Sequence, residues 1–498
     1  MSSRLVTAAA ATLFLVSGAS AFSQTNTSDK PTWWAKYQYL AANGPDTCTG
    51  QPAVQVGANV NVSNECGPQS ETYVTINPAR PRMLAGGSNE IFRLPMRGYF
   101  SSDGGANWDG VDLPLPPAKG NGIDFGSDPT LAFDTRGNVF YGYIVVYFGN
   151  GNGINGTAMA VARSSDGGRT YPQNQFTLFS EEGGSSHFND KPMIAADTNP
   201  ASPFRDSVYV AWDAAVGGST GGGVRFARSI DHGATFTVTR VDDPRGQGRA
   251  IGAVPFVGPN GEVYVAWNDF AANTIAFNRS LDGGVTWGQP TVISSKRLAF
   301  DIAIPAEFNR GALVYPACDA DRSPGAHRGR LSCSWMDLTS AGNTDILASF
   351  SDDQGRTWSA AQPVTDRLSG VDRFNHWLAV DPVTGEVNVS FYDTRNDTTG
   401  SRFMTDIYFS QSRTGGASWI GNVRVTDVSS NEHDCGGVFR CVAINYGNQQ
   451  GDYEGLASFG GVSHAIWTDS RDQLDALPGC RTGLAMEEVF TATITAKR

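Results

Sequence analysis

Ser280-Leu281-Asp282-Gly283-Gly284-Val285-Thr286-Trp287 reads Ser-x-Asp-x-Gly-x-x-aromatic, and the chain repeats it. Copies stand at Ser101–Trp108 (SSDGGANW), Ser164–Tyr171 (SSDGGRTY), Ser229–Phe236 (SIDHGATF) and Ser351–Trp358 (SDDQGRTW). A sixth, SRTGGASW at Ser412–Trp419, has Thr414 in place of the Asp. Intervals of 51 to 71 residues between copies mark a repeat protein. The chemistry of the motif is that of a tight turn. Ser and Asp hold nearby backbone, Gly supplies a positive φ, and the aromatic starts the next strand with a large apolar body.

Outward from each turn the chain falls into units of one design. Asp128-Pro-Thr-Leu-Ala-Phe-Asp134 precedes Asn138-Val-Phe-Tyr-Gly-Tyr143; Lys191-Pro-Met-Ile-Ala-Ala-Asp197 precedes Ser207-Val-Tyr-Val-Ala-Trp-Asp213. Further units open near Glu71, Ile251, Asp301, Asn375 and Tyr453. Short Val/Ile/Tyr/Phe runs between Gly and Asp turns are β-strands. The expectation is an all-β propeller of four-stranded antiparallel blades. Seven blades is the count; six is the alternative if the long unit around Cys318–Cys333 is an insertion. The last unit ends at its third strand, so Ala53–Ser63 is expected to supply the fourth and close the ring. Closure of this kind removes free sheet edges.

The ends and the composition bound the rest. Met1–Ala21 has Arg4, an apolar run from Leu5 to Val16 and Ala19-Ser20-Ala21, the pattern of a secretory signal peptide. Residues 22–50 read as a polar leader, and 51–498 as one domain. The expected location is outside the cytoplasm, secreted or periplasmic, with no membrane insertion. Net charge −12 argues against a nucleic-acid partner. A monomer binding a glycan is the expected state. Seven cysteines suit an oxidising compartment, with Cys48/Cys66, Cys318/Cys333 and Cys435/Cys441 as the expected bridges and Cys480 left over. Asp128, Asp190 and Asp301 open three innermost strands. Crowded carboxylates raise one another's pKa, which suits a general acid, or they collect a cation such as Ca2+; no cofactor is expected to be required.

The repeated box, preceded by Arg at Arg163, Arg228 and Arg279, resembles the Asp-box (BNR) repeat of the sialidase superfamily, along nearly all of the chain after the leader. The resemblance implies that ligand binds on the face opposite the Asp boxes, at the starts of the innermost strands and the loops after the second strands. It implies a glycoside hydrolase acting on a terminal, even acidic, sugar. A non-catalytic glycan- or protein-binding propeller and a polysaccharide lyase are the alternatives. By this resemblance Asp452-Tyr453-Glu454-Gly-Leu-Ala457 is similar to the segment carrying the family's nucleophilic Tyr, making Tyr453 the candidate nucleophile. Glu454, Glu71, Asp128, Asp301 and His376 are then the candidate acid–base groups, and Arg249, Arg395, Arg471, Asp190 and Asp452 the candidate substrate-binding residues. The family's Glu partner of the Tyr aligns with Asn375 or His376, neither a Glu. Phe92-Arg93-Leu94-Pro95 imitates the family's F-R-I-P motif but lies just ahead of the first Asp box, not in the first innermost strand. The trailing residues Asp213, Asp269, Asp393 and Asp469 read first as turn formers.

Overall fold

The computed structural model describes residues 54–91, 93–119, 123–148, 155–183, 187–216, 223–243, 249–366, 368–433, 449–471 and 487–497, together with Tyr37 and Ala41. Met1–Ala21, nearly all of residues 22–50, and Cys48, Cys435, Cys441 and Cys480 lie outside the described residues, and with them the expected signal peptide and leader. The chain divides into two compact units, Met1–Ala53 and Val54–Arg498. The second is the propeller.

Seven blades follow in order, each an antiparallel sheet whose strands run from the channel outward. Blade 1 comprises Gln69–Ile76, Leu84–Glu90, Arg97–Ser101 and Asp109–Asp112; blade 2, Asp124–Phe133, Val139–Tyr147, Gly156–Ser164 and Phe176–Gly183. Blade 3 comprises His187–Ala196, Val208–Val216, Gly223–Ser229 and Thr237–Arg240; blade 4, Ala250–Val257, Val263–Asp269, Thr274–Ser280 and Thr291–Ser295. Blade 5 comprises Pro316–Ala320, Leu331–Leu338, Thr344–Ser351 and Gln362–Pro363; blade 6, Arg373–Val380, Val387–Asp393, Met404–Ser412 and Val423–Arg424. Blade 7 takes Gly455–Phe459, Val462–Asp469 and Glu488–Ala496 from the C-terminal end, and its outer strand, Val54–Asn61, from the N-terminal end. That strand pairs antiparallel with Glu488–Ala496, Val54 opposite Ala496 and Asn61 opposite Phe490. The ring is therefore closed by the expected N-terminal strand.

The fifth unit is corrected in one respect. Asp301 does not open an innermost strand. Asp301–Ile302 pairs only with Ala312–Leu313, a two-stranded excursion between blades 4 and 5. The innermost strand of blade 5 starts at Pro316, and the Cys318–Cys333 disulfide staples it to the second strand across directly paired residues. The apolar run Ile302–Ile304 resembled a strand start, but it packs the excursion down. Cys66 is also disulfide-bonded.

Second strands read Val-Tyr-Val-Ala-Trp because both of their faces are covered. Trp212, Trp335 and Trp467 are fully buried between blades. Each removes about 200 Å² from water, worth roughly 5 kcal/mol before ordering entropy is subtracted. The Asp boxes form one repeated hydrogen-bond set. Ser280 Oγ donates to Asp282 Oδ1 (2.7 Å) and accepts from Gly284 N (2.8 Å), while Asp282 accepts from Val285 N, Thr286 N and Thr286 Oγ1. Asn107 and Thr357, donating from side chain and backbone, draw Asp103 and Asp353 down to about 2. In the decayed sixth box Thr414 Oγ1 accepts from Ser418 N at 2.9 Å, so a hydroxyl replaces the carboxylate without loss of the turn. Gly284 (φ +87°) needs its hydrogen: a Cβ there would meet the Phe226 ring of the preceding blade at 2.6 Å. Trp287 stacks edge-on against the same ring, 4.8 Å between centroids. The boxes are thus inter-blade clamps as well as turns. Ser280→Ala should lower stability by about 1 kcal/mol, measured by denaturant unfolding, because it orphans the Gly284 N–H.

Candidate active site

At the opposite ends of the blades from the Asp boxes, five innermost strands carry the same irregularity. Two residues there oppose one on the second strand, between Ser70/Tyr73, Ser127/Thr130, Asp190/Met193, Ile251/Val254 and Phe374/Trp377. These are β-bulges, which re-aim a side chain. The first bulge residue is left-handed in all five: Glu71 (φ +51°), Asp128 (+62°), Lys191 (+50°), Gly252 (+69°) and Asn375 (+40°). Four of the five are not glycine, and each costs on the order of 1 kcal/mol. The second bulge residue, Pro129 and Pro192 in blades 2 and 3, needs no ladder N–H, which is why proline is admitted there.

The bulges bring charges together that lie far apart in sequence. Lys191 Nζ sits 2.9 Å from Glu71 Oε1, 3.4 Å from Asp128 Oδ1 and 2.5 Å from Asp452 Oδ2. Arg310, from the excursion, forks onto Asp452, with Nε 2.6 Å from Oδ1 and Nη2 on Oδ2. Asn89 links two bulges, donating to Glu71 Oε2 and accepting from Asp128 N, both at 2.8 Å. Lys191 is only 4% exposed, and Glu71, Asp128 and Asp452 are equally buried. Asp190 and Arg310 are half-buried.

Burial and pairing drive the carboxyls apart. Asp128 resists the cost of burial because Lys191 pulls it down to about 2. Asp452, buried too, is held below its ordinary value by Lys191 and Arg310. Asp190, hydrogen-bonded to Asp128, is pushed up to about 8 by burial and by that neighbour's charge. Burial also raises Glu71 and Asp213, the latter with help from Asp190. At neutral pH the ionised Asp128 and Asp452 face Lys191 and Arg310, and Asp190 keeps its proton.

The residues expected from sequence part company here. Glu71, Asp128, Asp190, Asp452 and Tyr453 meet in this cluster. Tyr453 is 2% exposed, its ring 5.7 Å from Lys191 Nζ, and its hydroxyl donates to Pro129 O at 3.0 Å. Glu454, the next residue, is fully buried away from the cluster beside Ser390 and Tyr392, and burial raises its carboxyl. His376 is the second residue of its bulge and is buried like Asn375, but beside the Ser334 backbone of blade 5; burial lowers it to about 4. Asp301 is exposed on the excursion, and Arg249 is exposed ahead of blade 4. Arg395 is tied to Asp393 (2.6 Å) and Asp366 (2.5 Å) and lies over the Tyr408 ring; Arg471 is tied to Asp469 (2.8 Å) and Asp427 (2.5 Å) over Phe490. Each arginine stands two residues after an Asp whose carboxylate captures it. Arg93 is likewise paired, with Glu65 and Asp112.

Three members went unforeseen. Lys191 stands at a strand start with nothing in the sequence to mark its role, and its ammonium fills the space among the carboxylates that could otherwise collect a cation. Among the described residues no group of three or more His, Cys, Asp or Glu is arranged to hold a metal ion. Arg310 and Tyr315 come from the excursion and its exit, where no repeat pattern marks them. The recurring Pro after Asp128 and Lys191 was a signal for the bulges. Two outcomes follow. Lys191→Met should cost about 3–5 kcal/mol in unfolding experiments, since it strands buried carboxylates. Asp190, Glu71 and Asp213 bind protons when folded that the unfolded chain releases above about pH 4. Stability should therefore fall as pH rises from about 5 to about 8, the value to which Asp190 is pushed, and the thermal midpoint should decline over that window.

No protein-family model matches the chain, and no curated protein matches it. Among solved structures it is similar to a leech intramolecular trans-sialidase (13% identity, TM-score 0.45, covering 80% of this chain and 72% of that one). It is similar also to a polysaccharide lyase, an ulvan lyase (12%, TM-score 0.46, 83% and 93%), and to an α-L-arabinofuranosidase from Fusarium graminearum (12%, TM-score 0.43, 72% and 98%). Strand pairing, not these likenesses, establishes the seven-bladed propeller, and at such identities they say nothing of what the chain acts on.

Proposed function

We propose that the protein is an exported, carbohydrate-active propeller that hydrolyses a glycosidic bond at this end of the channel. The observation that carries the reading is the pair Asp190 and Asp128, hydrogen-bonded neighbours whose environments hold one carboxyl protonated to about pH 8 and the other ionised down to about 2. A carboxylic acid and a carboxylate side by side are the equipment for glycoside cleavage. In the proposed step the Asp190 proton passes to the departing oxygen as the bond from the anomeric carbon to that oxygen breaks. The positive charge left on the sugar ring is met by the ionised Asp128 and Asp452. Water then adds to the anomeric carbon and its proton returns to Asp190.

A neutral sugar suits the site better than an acidic one. Arg310 already spends its fork on Asp452, and Arg395 and Arg471 are each held by two carboxylates. Tyr453 is not the nucleophile in this scheme: its hydroxyl is committed to Pro129 O, and burial, then Glu71 and Asp128, raise its pKa and keep it neutral. The signal-peptide pattern of Met1–Ala21 and the Cys318–Cys333 bridge support export. The near-complete burial of the cluster favours one other reading, a propeller that binds glycan without cleaving it.

A panel of 4-methylumbelliferyl glycosides of neutral hexoses and pentoses and of sialic acid separates these. Wild type should release fluorophore, with a rate that falls above about pH 8 as Asp190 ionises. Asp190→Asn should lose about 10²-fold or more in kcat. An Asp190→Asn protein as fast as wild type removes the acid assignment. Binding of saccharide by calorimetry without turnover leaves the non-catalytic reading.

A further inference from the structure

The cluster contains a second tyrosine. Tyr315 immediately precedes the innermost strand of blade 5, is 4% exposed, and its hydroxyl has no hydrogen-bond partner among the described residues. Buried polar atoms are nearly always paired, so an orphan in a charged cluster calls for an explanation. Tyr453, 6.4 Å away edge to face, has already given its hydroxyl to the backbone.

The placement of the Tyr315 ring is built in. It occupies the space beside Gly252, where any Cβ would overlap it. Gly252 is the first bulge residue of blade 4, the position filled by Glu71, Asp128, Lys191 and Asn375 in blades 1, 2, 3 and 6. Blade 4 thus contributes no side chain of its own to the ring of bulge residues, and Tyr315 stands in for it. Its phenol lies within the field of Asp452, Lys191, Asp190 and Asp213; burial first, then Asp452, raises its pKa and keeps it a donor. The same ring holds an unused acceptor. Asn375 donates Nδ2 to Gly451 O at 2.7 Å, but its buried Oδ1 has no partner among the described residues. An orphan donor and an orphan acceptor around the first bulge places match a sugar hydroxyl, which accepts one hydrogen bond and donates another.

We propose that Tyr315, and not Tyr453, is the tyrosine that meets the substrate, donating its hydroxyl hydrogen to a sugar oxygen, with Asn375 Oδ1 accepting from a sugar hydroxyl. The inference rests on the reading that this end of the channel takes carbohydrate.

The two isosteric variants Tyr315→Phe and Tyr453→Phe decide it, assayed for thermal midpoint and on the same glycoside panel. Tyr315→Phe should keep or raise the midpoint, because no hydrogen bond within the protein is lost, while kcat/KM falls about tenfold or more. Tyr453→Phe should lower the midpoint, because its hydroxyl gives up the bond to Pro129 O. If an active wild type is matched by an equally active Tyr315→Phe, the assignment is overturned and the carbohydrate reading stands. If wild type neither cleaves nor binds any member of the panel, the carbohydrate reading fails and takes the assignment with it. A Tyr315→Phe protein that loses midpoint as Tyr453→Phe does, with activity intact, makes Tyr315 a structural residue and also overturns the proposal.

Discussion

One buried ammonium sets the terms for the channel end. Lys191 touches carboxylates from blade 1, from blade 2 and from the segment leading into blade 7. An unpaired charge at that depth would be prohibitive, so the four elements are held in a single arrangement or not at all. The partners in turn depend on ring closure. Asp452 lies near the C-terminal end of the chain and Glu71 near the N-terminal end of the propeller; the pairing of Val54–Asn61 with Glu488–Ala496, and Thr72 Oγ1 donating to Ile466 O, hold their blades side by side.

The bulges explain how an otherwise regular sheet comes to present charge to the channel. A strand with unbroken alternation would point every second side chain along the blade stack, where the second-strand tryptophans need apolar partners. Inserting one residue lets Glu71, Asp128 and Lys191 turn out of that stack at the cost of left-handed backbone. Their mutual attraction offsets that cost. In blade 4 the same place is empty of side chain, and the chain fills it from elsewhere, with Tyr315 over Gly252.

Electrostatics also accounts for the residues that did not join. Arg395 and Arg471 follow Asp393 and Asp469 by two residues, close enough for each carboxylate to accept both the backbone N–H and the guanidinium of its arginine. Local capture is cheaper than reaching across the channel, so the arginines remain on the blades that made them. Asp301 and Arg310 illustrate the opposite case. They lie close together in an excursion without repeat signal, yet one is left in solvent and the other forks onto Asp452.

The amino-acid sequence alone determined the blade and the strand that closes the ring, and left the number of blades at seven with six as the alternative. Those features rest on short-range turn chemistry repeated along the chain: Ser280 with Asp282 and Gly284 are neighbours whatever the rest does. Of the site, it marked the strand starts Glu71, Asp128, Asp190 and Asp452, because a fixed place in a repeat is legible as a fixed place in space. Which of their neighbours face the channel was decided only by tertiary structure. A one-residue bulge separates Asn375 from His376, and a glycine in one blade admits a tyrosine from the next. Such outcomes depend on what packs against each position, and packing partners hundreds of residues apart leave no local trace.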